Sequence, residues 1–395
     1  MTADRAPSEV LFAPIPAWGH VNPLLGGMAE LTRRGHKVSC LATSDFADRV
    51  SEVAEPVSYS SPMRARGASS ATSDVTDVMP LALAETEAAF GALRRHAATR
   101  PPDIVVHDVM GWAGWLLARE RGLPTVCSWP VFASNEHFSL HRDYATIQDE
   151  GSAAMVDFFG AVAKFLDSVG LDSVAPTELF ESEPTHHVVH FPREFQPRGE
   201  TFDERFTFVP PSVRAPERSS DAVWLDAAEP LVVVSLGTIY HDNAEFFRTC
   251  VEAVARLGWP AAVALGGSVR REELGEVPEH VLLRERLPMI DALRNAAVLV
   301  GQGGMGSTLE ALSYGVPLLL APQMGEQRAV ADRVEALGLG RRLDQPFTAA
   351  ALERAIREIV QDAEVARRVA AFREQHLGHP GSRGVADAVE AHLPR

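Results

Sequence analysis

Cysteine is scarce in this chain. Only Cys40, Cys127 and Cys250 occur among 395 residues, far apart and without C-x-x-C or metal-ligand spacing. That excludes a disulfide framework or cysteine-based zinc site and makes a reducing, cytoplasmic setting the expectation. No apolar run approaches the ~20 residues that span a bilayer and no charged-then-apolar leader opens the sequence, so no membrane partner is expected. Positive charge is also short: 37 Lys and Arg against 53 Asp and Glu leave a formal net charge of −16. Binding nucleic acid over an extended face needs a basic patch, so it is not an expected partner either. There is no short-period repeat and no low-complexity tract. What is present, 46% hydrophobic and 23% charged residues in a chain too long for one ordinary core, describes a globular protein of two α/β domains.

One stretch organises the rest, AVLVGQGGMGSTLEALSYGVPLLLAPQMGEQ at 297–327. A short apolar run, Ala297 to Val300, leads through Gly301, Gln302, Gly303, Gly304, Met305 and Gly306 into Ser307, Thr308, Leu309 and Glu310, whose spacing is helical. Gly315 sits where a helix-ending residue with positive φ belongs, and Val316 to Ala321 is a second buried strand ended by Pro322. A glycine-rich turn entering a helix exposes unpaired N–H groups at the positive end of the dipole, a natural seat for phosphate or diphosphate. The pattern is neither a Walker A loop, lacking Gly-Lys-Ser/Thr, nor G-x-G-x-x-G in register. The competing reading is a tight turn in which Ser307 and Glu310 form a capping box.

The amino-terminal half opens with a strand, Glu9 to Ala13, a loop to His20, and a helix closed at Arg33-Arg34-Gly35, with the next strand at His36 to Ala42. His20 therefore comes out at the carboxyl end of a strand and near a helix N-terminus, where open α/β sheets bind ligands. A helix N-terminus opposes added positive charge and so favours the neutral imidazole a general base needs. It could equally be a loop histidine that caps the helix. A strand from Pro101 to Asp108 puts Asp108 on the same rim, either orienting the His20 ring or capping an amphipathic helix spanning Val109 to Arg121. Segment 129–192 is aromatic-rich, the core of two or three helices or the lining of an apolar pocket. His186, His187 and His190 lack a suitably spaced carboxylate, and no metal is expected there.

Residues 301–327 resemble the donor signature of nucleotide-sugar-dependent glycosyltransferases of the two-Rossmann-domain (GT-B) type, family 1, and most closely its bacterial macrolide branch. The family pattern His-Gly-Gly-x-Asn-Ser-Thr-x-Glu, strand, Pro-Gln-x-x-Glu/Asp-Gln is matched by Gly303, Gly304, Ser307, Thr308, Glu310, Pro322, Gln323, Glu326 and Gln327. It departs where Gln302 replaces a His and Gly306 an Asn. Trp18-Gly19-His20-Val21-Asn22-Pro23 matches the segment bearing the family's catalytic base, and segments 134–138 and 195–206 resemble the broad-specificity branch. The likeness runs nearly the whole length of the chain.

That resemblance implies an α/β, GT-B architecture of two doubly wound Rossmann-like domains facing across a cleft. An acceptor-binding domain would cover 1–212, a linker 213–230, a donor-binding domain 231–376, and a helix at 377–395 would cross back to the first domain. It implies an inverting glycosyltransferase with His20 as base and Asp108 behind it. The donor would lie against Gly237, Thr238, Arg286, Gln302, Gly303, Gly304, Met305, Gly306, Ser307, Thr308, Glu310, Glu326 and Gln327. Arg286 would stack on the base, although Met289 stands where the family has Gln; Glu310 would accept from the ribose, and Glu326 and Gln327 would contact the sugar. An acceptor would lie against Trp18, Trp112, Phe132, Asn135, His137 and Phe138. The implied partners are a nucleotide sugar, UDP-glucose or another UDP- or TDP-hexose, and a small-molecule aglycone such as a macrolide or phenolic. No cofactor is implied, and the protein would be a monomer or homodimer. The departures leave two other readings, a nucleotide-sugar-binding auxiliary protein of impaired turnover and a GT-B sugar-nucleotide epimerase.

Overall fold

The computed structural model describes residues 7–66, 75–144, 153–181, 186–212, 221, 224–225, 230–237, 243–344, 346–379 and 381–394. Seven parallel strands form a first sheet: β1 (Glu9–Ala13), β2 (Lys37–Ala42), β3 (Glu55–Ser58), β4 (Ile104–Asp108), β5 (Thr125–Trp129), β6 (His186–Val189) and β7 (Phe206–Phe208). Their order is β3-β2-β1-β4-β5-β6-β7. Six more form a second parallel sheet: β8 (Leu231–Ser235), β9 (Ala261–Ala264), β10 (Val281–Arg284), β11 (Ala296–Gly301), β12 (Leu318–Leu320) and β13 (Gly340–Arg342), in the order β10-β9-β8-β11-β12-β13. Every residue of β4 and of β8 is buried, as continuous apolar strands covered on both faces must be.

Strand order reverses between β1 and β4 in the first sheet and between β8 and β11 in the second. At such a point the loops leave in opposite directions and open a crevice beyond the carboxyl ends of the strands. The loop carrying His20 follows β1 and Asp108 ends β4; the Gly237 turn follows β8 and the glycine loop follows β11. Topology therefore gathers the candidate residues at two crevices before any side chain is considered.

Local chemistry sets the element ends. The helix Trp18–Arg33 starts three residues earlier than its Val21 apolar stripe suggests, and ends with Gly35 at φ 93°. The helix Trp112–Arg121 ends on the left-handed Gly122, but it is not amphipathic: Trp112 to Ala118 are all buried. Its first two turns lie against β4 on one side and the helix Val75–Thr99 on the other, and only the last turn, with Arg119 and Arg121, meets water. The carboxyl-terminal helix Ser382–Ala391 packs on Trp18–Arg33, with Val385 lying on Gly27. Arg34 ties the two by donating to Asp387 and Glu390 as well as to Glu30. Of segment 213–230, only 221, 224, 225 and 230 are described.

A single hydrophobic cluster runs from the second sheet into the first domain, taking in Phe132, Phe138, Phe191, Phe195 and Phe202. Phe195 and Phe372 meet there at 6.0 Å between ring centroids. Phe132, Phe138 and Phe191 of the aromatic-rich middle are thus interdomain core, while Phe158 and Phe165 pack inside the first domain.

Candidate active site

His20 lies in the first turn of its helix, and its Nδ1 is 2.7 Å from Asp108 Oδ2. The carboxylate is fully enclosed and the imidazole 12% exposed, leaving the ring's far edge toward the cleft. Asp108 does not cap a helix, because the next one begins only at Trp112. Its second oxygen accepts from the Met110 N–H at 2.8 Å instead, which fixes the carboxylate plane and with it the ring. An Nδ1–H donated to Asp108 leaves Nε2 with the lone pair.

The direction of the His20 shift differs from the sequence expectation. Burial, the strongest single influence, pushes the His20 pKa down; the charge of Asp108, its hydrogen bond and the charge of Glu326 push it up, and the net lies above the ordinary 6.5. Asp108 and Glu326 together outweigh burial, whereas the position at a helix N-terminus alone led to the opposite expectation. Glu326 belongs to the second domain, on the helix Gly325–Ala336, and its own carboxyl is held above its usual range by burial, with His20 opposing.

One strand over from Asp108, Ser128 Oγ and His190 Nε2 are 2.9 Å apart. Burial pushes His190 down to about 4, so it stays neutral beside the dyad. The histidine cluster does not converge on a metal: His187 accepts from Trp129 Nε1 at 2.9 Å and His186 bonds Thr207 Oγ1 at 2.7 Å while stacking on His392. No group of three His, Cys, Asp or Glu among the described residues could hold a metal ion.

In the second domain the helix Met305–Ser313 starts at Gly304 with no side-chain cap. Ser307 is therefore inside the first turn, its hydroxyl donating to the Gly304 carbonyl at 3.2 Å, and the Ser307–Glu310 capping box does not form. The amides of Met305, Gly306 and Ser307 have no carbonyl four residues back within the helix. Gly306 faces open space, whereas Gly303 is held at φ 87°, where a Cβ would stand 3.0 Å from the Gln327 carbonyl. Thr308 is buried and its hydroxyl has no partner.

Gln302 is buried, accepts from Gln323 Nε2 at 2.9 Å, and aims its amide nitrogen at Gly237, whose φ is 71°. The two switch-point turns of this domain therefore meet through Gln302. Gln327 is committed through Oε1 to the Gln323 N–H at 2.8 Å, and Glu310 is half-buried on the helix. Arg286 is exposed on the loop before Pro288. Thr238 lies outside the described residues.

The expected acceptor residues are not brought together. Phe132 and Phe138 are buried in the interdomain core because strands and helices of both domains close over them. Asn135 is consumed by a turn, donating to Thr201 Oγ1 at 2.8 Å and accepting from Phe138 N at 2.9 Å, and His137 is exposed beside Glu136. Trp18 packs against Phe46 with ring centroids 4.4 Å apart and tilted, and Arg49 lies over its ring. Trp112 lines a small cavity of about 20 Å³ with Ile15, Tyr59, Met63, Glu85 and Met110, between the loops that lead to His20 and away from Asp108. At its wall Glu85 accepts from Tyr59 Oη at 2.6 Å and Ser61 Oγ at 2.7 Å. Glu85 and Ser128 carried no motif signal of their own; Gln323 stood in the Pro-Gln pair, and His190 stood out only as part of the histidine cluster.

The profile of the erythromycin biosynthesis protein CIII-like C-terminal domain matches residues 250–392. The chain is 34% identical to the NDP-glycosyltransferase YjiC of Bacillus licheniformis over 96% of both chains. It is also 34% identical to the demethyllactenocin mycarosyltransferase of Streptomyces fradiae, over 98% of this chain and 89% of that one. Among solved structures, the calicheamicin glycosyltransferase CalG4 superposes with a TM-score of 0.82 at 32% identity, covering 99% of each.

Proposed function

Because the chain belongs to the family 1 glycosyltransferases of the bacterial macrolide type, with their GT-B fold, we propose that it transfers a hexose from a UDP- or TDP-activated sugar to a hydroxyl of an apolar natural product. UDP-glucose is the representative donor and a macrolide or phenolic the representative acceptor. The observation that carries the reading is the His20–Asp108 pair at 2.7 Å, set across the cleft from Glu326 and the uncapped glycine helix end.

His20 Nε2 takes the acceptor proton as the oxygen attacks the anomeric carbon in line, and Asp108 stabilises the imidazolium that forms. The bond from the anomeric carbon to the diphosphate breaks with inversion. Charge developing on the leaving nucleoside diphosphate is met by the amides of Met305, Gly306 and Ser307, by the unpartnered Thr308 hydroxyl and by the Gln302 amide. No metal or redox cofactor enters this scheme.

The test is mass spectrometry of protein incubated with UDP- and TDP-hexoses and a mixed panel of macrolides and phenolics. Wild type is expected to add one hexose and His20→Ala to lose about 10²–10⁴-fold in rate. Donor binding by calorimetry without transfer to any acceptor would instead support the auxiliary-protein reading.

A further inference from the structure

The helix that carries Glu326 touches the first domain along one stripe. Gly325, Arg328 and Asp332 recur at i, i+3 and i+7, one face of a helix, and all three meet Tyr144 at the end of the short helix Leu140–Tyr144. The Arg328 guanidinium donates to the Tyr144 carbonyl at 3.1 Å, and the Tyr144 hydroxyl donates to Asp332 Oδ2 at 3.2 Å. A Cβ on Gly325 would stand 2.5 Å from that same carbonyl oxygen. Farther along, Arg333 donates to the carbonyls of Phe195 and Glu194.

Gly325 is not there for its conformation. It opens a helix without a positive φ, a place where Ala would be the better helix former. What the missing side chain permits is close approach of a backbone from the other domain. We propose that Gly325 and Tyr144 form a spacer that sets how far Glu326 stands from His20, which makes both positioning residues for the transfer; the inference rests on the glycosyltransferase reading. Glu326 is the next residue after Gly325, so any displacement of the helix end carries it along. The charged and titratable groups bearing on His20 are Asp108 and His190 from its own domain and Glu326 from the other. A methyl or larger group at 325 must push Tyr144 away, and misplacement of about 1 Å at a reacting site costs on the order of a hundredfold in rate.

The experiment compares wild type, Gly325→Val, and the double variant Tyr144→Phe/Arg328→Met, each with and without Glu326→Gln. The double variant removes contacts without adding bulk, so the test survives if Val disturbs folding. Steady-state kinetics give kcat and the donor KM; histidine-labelled NMR gives the His20 titration, its signal identified by its loss in His20→Ala. In wild type, Glu326→Gln is expected to lower the His20 pKa. In both spacer variants that shift is expected to shrink by more than half, and kcat to fall about tenfold to a hundredfold with donor KM held within about twofold. A full-sized Glu326→Gln shift and unchanged kcat in both spacer variants would overturn the proposal. Loss of the shift in a protein whose wild type transfers no sugar would sink the transferase reading, and the role in transfer with it, while leaving only the spacing of Glu326 from His20 standing.

Discussion

At the scale of single residues, chemistry hangs on the direction in which each carboxylate moves its neighbour. The proposed base works only as neutral imidazole, and the His20 pKa is raised, so under that proposal the rate should climb with pH along a limb lying above 6.5. Asp108→Asn removes the charge that raises it while keeping the volume. The limb is then expected to move to lower pH as kcat falls by about 10²–10⁴-fold, read from a kcat/KM profile. A profile that lost amplitude without moving would contradict the electrostatic account. His190, held down at about 4, adds no ionisation to the working range.

Elements answer to backbone geometry, and the glycine loop separates two roles that its composition blurs. Gly303 has φ 87° and no room for a Cβ, so Gly303→Ala should cost about 1–3 kcal/mol in urea unfolding. Gly306 sits in the first turn of the helix with nothing within 4 Å, so Gly306→Ala should unfold at the same or slightly higher denaturant, stabilised by up to about 1 kcal/mol. Its methyl would project where the diphosphate is proposed to lie, and calorimetry should show weaker donor binding in a fully folded variant. Equal affinity in Gly306→Ala and wild type would remove that end of the helix from the donor site.

The whole molecule is held across its domains by packing. Val385 of the carboxyl-terminal helix overlaps the space a Cβ at Gly27 would need. Gly27→Ala should therefore destabilise by about 1–3 kcal/mol, and Gly27→Ala/Val385→Ala should recover part of the loss, because the second change empties the volume the first one fills. Additive losses in denaturant midpoint would show that the two helices do not share that contact in solution.

The parallel strands β1, β4, β8 and β11 are apolar runs bounded by glycine or proline, a local pattern, so the chain alone placed them and the loops bearing His20, Asp108 and the glycines. Family likeness, also a property of the chain, supplied the glycosyltransferase reading. Helix starts shifted by a few residues because capping depends on backbone geometry: the turn at Gly304 made Ser307 an interior residue. The expected acceptor residues lie apart in the structure for a different reason. Phe132 and Phe138 read equally well as pocket or core, and only the packing of one domain on the other buried them. In the same way the His20 ionisation, the Trp112 cavity and the contact of Gly325 with Tyr144 are set by groups brought together from distant parts of the chain. Sequence determines what each segment can form by itself; burial, charge and distance between segments exist only once the two sheets are assembled.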